Sequence, residues 1–385
     1  MTEPVAWDLA ERVAVRVGGH EALEQSYLYR TLEPDFSELT QEAEALVEQE
    51  TGFKSAAGPA RARVTDRAGW VHANVKSFQR LLRPLTRKLE AALDQPTNLG
   101  PLPIPVARVG RSVAGTQVGL LLGWMSTRVL GQYDQLIIED ENPDEQDIVY
   151  YVGPNVIALE KRFAFPPREF RLWLALHEVT HRMQFTAIPW MRPYFLSLVE
   201  NTLSGVEPDP RRFVEALKRA TEQVRQGHNP LDDGGLVTLL AGPEQYEGIQ
   251  QIGGLMSLLE GHGDVTMDRA GADRIPSAER FSRVLRMRRQ QKGLMKIMST
   301  LIGLDAKMKQ YQQGEEFIQA VETTEGREFL NKAWQGPEWL PDLPEIRTPT
   351  DLIARIKRGD PRQLPAASSS SVSPTSVSPT SVSPT

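Results

Sequence analysis

The chain has 385 residues, of which 40% are hydrophobic and 24% are charged, and its formal net charge is −6. This composition suits a globular protein, and because basic and acidic residues are mixed along the chain, it indicates no nucleic-acid surface. There is no cysteine, so disulfides are excluded and any metal ion would have to be held by His, Asp or Glu.

Helical patterns account for most of the first 130 residues. The N-terminus lacks the basic and apolar regions of a signal peptide, and no apolar run approaches the ~20 residues that span a bilayer, so we expect a cytoplasmic protein without membrane contact. Helices are predicted, with proline interruptions at Pro34 and near Pro84, over residues 21–51, 70–93 and 112–131. The third of these is rich in small and apolar residues, which is typical of a helix inside a protein.

Strand signals are concentrated between residues 134 and 160. Apolar segments separated by turn residues predict strands at 135–139, 147–152 and 155–160. We expect these strands to form a small antiparallel sheet directly before the next helix. Two interpretations remain open for the last strand: it binds an extended substrate beside an active-site helix, or it belongs to a plain structural hairpin.

The rest of the chain is predicted to be helical up to a low-complexity tail. The predicted helices cover residues 168–186, 191–203, 210–226, 244–268, 277–291 and 292–313. We therefore predict one mainly α domain of the α+β type over residues 1–360. Residues 366–385 contain a serine run and Ser-Val-Ser-Pro-Thr repeats that cannot bury a core, so a disordered tail is expected, with a modified or binding tail as the alternative.

The segment His177-Glu178-Val179-Thr180-His181 is the strongest functional signal in the sequence. Residues four apart lie on one face of a helix, so the two histidines can bind one ion together. Glu178 lies to the side, where it can reach a metal-bound water, and two zinc ligands plus a general base are predicted. The alternative is a pair of hydrogen-bonded core histidines, but three polar groups on a strongly apolar helix favour a metal as their shared partner.

A catalytic zinc takes three protein ligands, and Glu260 is the first candidate for the third. Asp264 follows it four residues later, on the same helical face, and is expected to accept the free N–H of a ligand histidine. Each glycine inside a helix costs about 1 kcal/mol relative to alanine. Gly261 and Gly263 therefore indicate that their helix is packed closely against the helix that carries the two histidines.

Other polar residues offer alternatives for the third ligand and for an oxyanion donor. Glu200 has no acidic residue four positions later, and we interpret it as part of a solvated helix face. His262 lies about 200° around the helix from Glu260, so it is interpreted as a buried histidine that supports the site, with a ligand or oxyanion-donor role as the alternative. Tyr151 is a second candidate donor. The remaining histidines, interpreted as surface residues, are His20, His72 and His228.

The motif, followed far downstream by Glu260-Gly-His-Gly-Asp264, resembles a zincin-like family of bacterial candidate hydrolases, some of which are labelled as associated with biosynthesis of a deazaflavin coenzyme. The resemblance covers most of residues 1–360, including 124–134, and the downstream Glu-x-x-x-Asp is similar to the gluzincin pattern of metallopeptidases. The resemblance implies that His177, His181 and Glu260 are zinc ligands. It also implies that Glu178 is the base and Asp264 a supporting carboxylate. The 79 positions between His181 and Glu260 exceed the spacing in compact gluzincins. The intervening helices must therefore lead the chain away from the site and back to it.

The leading hypothesis is a zinc-dependent peptidase that uses metal-activated water and Glu178 as general base. Its partners would be a peptide or small amide substrate, without nucleic acid or membrane. Two alternatives remain: a metal-dependent hydrolase of a non-peptide amide, and a non-catalytic helical scaffold whose zinc is closed by a fourth ligand such as His262. The sequence leaves the substrate and the oligomeric state open.

Overall fold

The computed structural model describes residues 3–84, 86–88, 104–133, 147–204, 243–289 and 304–364. Its first half contains helices α1 (Trp7–Gly18), α2 (Tyr27–Arg30), α3 (Leu32–Thr51), α4 (Arg67–Leu81) and α5 (Ile104–Ser126), and strands β1 (Arg61–Thr65), β2 (Gly131–Tyr133) and β3 (Ile148–Val152). Its second half contains helices α6 (Gly153–Phe163), α7 (Pro167–Thr186), α8 (Met191–Ser204), α9 (Pro243–Ala270), α10 (Ala278–Arg289), α11 (Leu304–Glu325), α12 (Leu343–Arg347) and α13 (Pro349–Arg358). The predicted mainly α fold with a small sheet is confirmed. Among these helices, none is both long and apolar enough to cross a bilayer.

The small sheet is mixed, with the strand order β1-β3-β2. β1 pairs in parallel with β3, and β2 pairs antiparallel with it, so the expectation of a wholly antiparallel sheet was wrong. β3 confirms the predicted strand at 147–152, and all five of its residues are buried. The predicted strand at 135–139 lies outside the described residues.

The segment predicted as a strand at 155–160 is helical and belongs to α6. Pro154 stands in the first turn of this helix, where a proline costs nothing because the N–H that it lacks would have no helical partner. The apolar residues Val156, Ile157 and Leu159 are buried, and so short a run fits a helix or a strand by periodicity alone. A substrate-binding strand at this position is therefore excluded.

Most other helix predictions agree with the structure. The predictions at 168–186, 191–203, 244–268 and 277–291 are confirmed as α7, α8, α9 and α10. The predicted helix at 21–51 divides at Thr31, and Pro34 lies in the first turn of α3 rather than interrupting it. The helix predicted at 112–131 is α5, which ends earlier, at Ser126. The described part of the helix predicted at 70–93 contains α4, and the described part of the helix predicted at 292–313 is the start of α11. Residues 210–226, 292–303 and the tail 366–385 lie outside the described residues.

Helix α7 runs through the main core between α3 and α9, and two buried arginines fix its position. Arg182 is fully buried, with its guanidinium 2.6 Å from a carboxylate oxygen of Glu44 and 2.7 Å from one of Asp147. Arg171 forms a two-point contact with Glu160, at 2.8 and 2.9 Å. Because removing one partner of such a pair leaves a charge buried without compensation, these contacts restrict the rotation and register of α7.

Helices α9 and α11 cross with their backbones in direct contact. A Cβ added at Gly261 would lie 2.3 Å from the carbonyl carbon of Gly314, and one added at Gly314 would lie 2.1 Å from the carbonyl oxygen of Ser257. Neither position has room for a side chain. The crossing therefore holds α11 against the turn of α9 that contains Glu260.

Candidate metal centre

Three potential ligands meet between α7 and α9. His177, His181 and Glu260 each provide one ligand atom, and these atoms all lie within 4.8 Å of one another. Nε2 of His181 is 3.4 Å from Oε2 of Glu260, and the two imidazole rings lie edge to face with their centroids 4.7 Å apart. The structure thus brings together the three ligands predicted from the sequence, although Glu260 lies 79 positions after His181.

The two helices can approach closely because α9 has a glycine opposite an imidazole. A Cβ added at Gly263 would lie 3.3 Å from Cε1 of His181, tighter than an ordinary van der Waals contact. The expectation that this glycine admits the motif helix agrees with the structure. Gly261 serves a different contact, since it faces Gly314 of α11 rather than α7.

The chemistry of the cluster fits a zinc ion. Two imidazoles and one carboxylate are a donor set that zinc accepts, and three protein ligands leave a coordination position for water or substrate. Burial alone lowers the pKa of His181, but the charge of Glu260 and its hydrogen bond outweigh burial and raise the pKa to about 9. A buried carboxylate therefore makes this position favourable for positive charge, which a divalent cation would also supply.

Glu178 stands beside the cluster, and strand β2 positions its carboxylate. Oε2 of Glu178 accepts a hydrogen bond of 3.1 Å from the backbone N–H of Tyr133. A Cβ added at Gly131 would lie 2.7 Å from Cγ of Glu178, so this glycine provides the space for the carboxylate. Burial raises the pKa of Glu178 to about 7, although His181 and the N–H of Tyr133 oppose the rise. The carboxylate can therefore exchange a proton near neutral pH.

Asp264 faces the other ligand histidine. Its Oδ1 lies 4.0 Å from Nδ1 of His177, which is too far for a direct hydrogen bond. The side chain of Asp264 is 31% exposed and that of His177 is 20% exposed, so solvent reaches this side of the cluster. Asp264 therefore lies beside a ligand histidine, but at this distance it does not accept the N–H as expected from the sequence, and its supporting role stays a prediction.

His262 is close to the cluster but is not one of its three ligands. Its Nδ1 lies 3.1 Å from Nε2 of Gln184, and its ring packs against Phe53 and Trp334 at centroid distances of 5.5 and 5.0 Å. Burial lowers the pKa of His262 to about 4, which keeps the imidazole neutral. The side chain is half-buried and hydrogen-bonded, which agrees only in part with the expected buried histidine, and its contacts do not favour a role as a fourth ligand or an oxyanion donor.

The other candidates from the sequence lie away from the cluster. The hydroxyl of Tyr151 is 2.8 Å from Oγ1 of Thr40 in the core, which does not favour its role as an oxyanion donor. Glu200 is exposed on α8, in agreement with a solvated helix face. His20 and His72 are exposed, and His228 lies outside the described residues.

Gln184 is a polar neighbour of the cluster that the sequence analysis missed. It is fully buried on α7, and its Oε1 lies 3.0 Å from Nδ1 of His181. Its position three residues after His181 places both side chains on one helical face, and this spacing is a signal that could have identified it.

Comparison with known proteins places the chain in a family. A search of curated proteins returned no match. The chain is similar to the crystal structure of a candidate hydrolase with a novel fold from Chloroflexus aurantiacus, with a TM-score of 0.67 and 29% sequence identity. The similarity covers 92% of this chain and 99% of the other. A family model of zincin-like metallopeptidases matches residues 5–353, and this chain belongs to that family.

Proposed function

We propose that the protein is a zinc-dependent peptidase in which His177, His181 and Glu260 hold the metal and Glu178 is the general base. Family membership and the similar candidate hydrolase support a zinc hydrolase in general. The single observation that carries the finer proposal is the convergence of three ligand atoms within 4.8 Å beside the buried carboxylate of Glu178.

In the proposed reaction, Glu178 transfers the proton beside a zinc ion that activates water and the carbonyl group. Zinc, when bound, supplies a Lewis acid that lowers the pKa of water and polarises a carbonyl group. Glu178 accepts a proton from the attacking water and delivers it to the leaving amine. The N–H of Tyr133 holds one carboxylate oxygen of Glu178, so the other oxygen is free to exchange the proton.

The edge of the sheet supports a peptide as the substrate. In the described part of the sheet, β2 is an edge strand, and its residues Gly131 and Tyr133 both contact Glu178. An edge strand presents backbone groups with which an extended peptide can pair as an additional strand. A peptide paired with β2 would lie beside the general base, in the role that the sequence analysis gave to the segment 155–160.

The test combines Glu178→Gln with Glu200→Gln, a matched control on the exposed face of α8. Zinc binding is measured by chelator competition, and cleavage is measured on a peptide mixture by mass spectrometry alongside small acyl amides. We expect Glu178→Gln to bind zinc normally and to lose about 10²–10⁴-fold in kcat, because it lacks the proton acceptor. Glu200→Gln should behave as wild type.

Each alternative function has a distinct result. Wild-type turnover by Glu178→Gln would contradict the mechanism. Hydrolysis of small amides without cleavage of any peptide would replace the peptidase with a non-peptide amide hydrolase. Four protein ligands on zinc, seen by X-ray absorption in a protein that hydrolyses nothing, would instead establish the scaffold. The cytoplasmic location stays a prediction that cell fractionation tests.

A further inference from the structure

The carboxamide of Gln184 lies between the two helices that carry the candidate ligands. Its Oε1 is 3.0 Å from Nδ1 of His181 on the same helix. Its Nε2 is 2.9 Å from the backbone carbonyl oxygen of Leu259 and 3.1 Å from Nδ1 of His262, both on α9. The side chain is fully buried, so these three contacts satisfy it without solvent.

The contact with Leu259 determines which way the amide faces. A backbone carbonyl oxygen only accepts hydrogen bonds, so the NH₂ group of Gln184 must point towards it. The amide oxygen then faces His181 and can only accept, so Nδ1 of His181 must carry a proton. By the same reasoning, Nδ1 of His262 accepts the second N–H of the amide. One side chain thereby fixes the hydrogen-bond roles of two imidazoles.

The consequence for His181 is that its other nitrogen is the one left for a metal. Nε2 points towards the cluster, 3.4 Å from Oε2 of Glu260. Leu259 is the residue directly before Glu260, so the same amide links the imidazole of one ligand to the peptide next to another. Gln184 therefore couples the orientation of His181 to the register of α9.

We propose that Gln184 is a positioning residue for the metal centre: it holds His181 with Nδ1 protonated and Nε2 facing the ion, and it aligns Glu260 on the neighbouring helix. The proposal rests on the proposed function, because it assumes that the three ligands bind zinc. Partners that orient a ligand histidine typically change metal affinity by about 10–100-fold when they are removed.

Two substitutions separate positioning from simple packing. Gln184→Met fills the same space and removes every hydrogen bond, so zinc affinity should fall by about 10–100-fold. Gln184→Glu keeps an acceptor for His181 but loses the donor to Leu259 and buries a charge. We expect this variant to be the less stable of the two and yet to bind zinc at least about tenfold more tightly than Gln184→Met. If Gln184→Glu, the less stable variant, instead binds zinc no more tightly than Gln184→Met, the proposal is overturned.

A matched control and a measurement on the wild type complete the test. Thr40→Val removes a buried hydrogen bond to Tyr151 in the core, and it should lower stability without changing zinc affinity. In the zinc-loaded wild-type protein, ¹H–¹⁵N NMR should show a protected Nδ1–H on His181. This observation needs no variant to fold, and a proton on Nε2 instead would overturn the proposal.

The outcomes for the wild type also distinguish the two proposals. If the wild-type protein binds no zinc, the proposed function fails, and with it the role of Gln184. If the wild-type protein binds zinc and hydrolyses peptides while Gln184→Met retains full zinc affinity, only the role of Gln184 fails.

Discussion

Gly131→Ala should impair catalysis without removing the metal. The added Cβ would lie 2.7 Å from Cγ and 2.8 Å from Oε1 of Glu178, whereas carbon atoms in favourable contact are about 3.5–4.0 Å apart. The carboxylate must therefore move by roughly 1 Å. A misplacement of this size costs about 100-fold in rate, equivalent to about 2.7 kcal/mol of transition-state stabilisation. We expect the loss in kcat, because the three ligands remain in place.

The assay compares kcat, zinc affinity and thermal stability of Gly131→Ala with those of Gly248→Ala. Gly248 is a matched control because its added Cβ would also meet a side chain, Oγ1 of Thr202 at 2.3 Å, but away from the cluster. The control should retain wild-type kcat. A Gly131→Ala enzyme with wild-type kcat would refute the reasoning, and so would one that lost its catalysis only because zinc no longer bound.

Three further predictions concern the metal and the helix crossing behind it. Zinc at 100 times its Kd should raise the free energy of unfolding by about 2.7 kcal/mol, and Glu260→Ala should lose most of this increment, as measured by urea unfolding with and without chelator. An increment of the same size in the variant would remove Glu260 from the ligand set. Asp264→Asn should weaken zinc binding by about 10-fold in a chelator competition, and unchanged affinity would remove Asp264 as a support for His177. Gly314→Ala places a methyl group against the carbonyl of Ser257, so urea unfolding should show that the free energy of unfolding falls by about 1–3 kcal/mol. An unchanged free energy of unfolding would show that the crossing has room for a methyl group.

The parts of the site that could be predicted from the sequence depend on local geometry. His177, Glu178 and His181 share one helix, and Glu260 and Asp264 share another, so a spacing of four residues was enough to place each set on a face. Glycines beside Glu260 indicated a close helix contact. Which helix each glycine contacts could not be predicted from the neighbouring residues. Gly261 was expected to face the histidine helix α7, but it faces α11.

The parts that were missed depend on contacts between distant segments. β1 has the sequence Arg61-Ala-Arg-Val-Thr65, which has few apolar residues, and its partner β3 begins 87 positions after Arg61. A parallel pairing over such a distance leaves no local pattern. Gln184 lies three residues after His181, a spacing that could have identified it, but its two hydrogen bonds to α9 left no local pattern. The strand predicted at 155–160 was wrong for another reason, because its run of apolar residues suits either a helix or a strand.

The backbone contact between Gly261 and Gly314 restricts how relatives of this protein can diverge. A side chain at either position would force α11 and α9 apart at the turn of α9 that contains Glu260. Selection for the metal centre should therefore preserve the two glycines as a pair, although neither touches the metal or substrate. A homologue that retains every ligand but carries a larger residue at one of them is, by this criterion, a candidate for a degenerate enzyme.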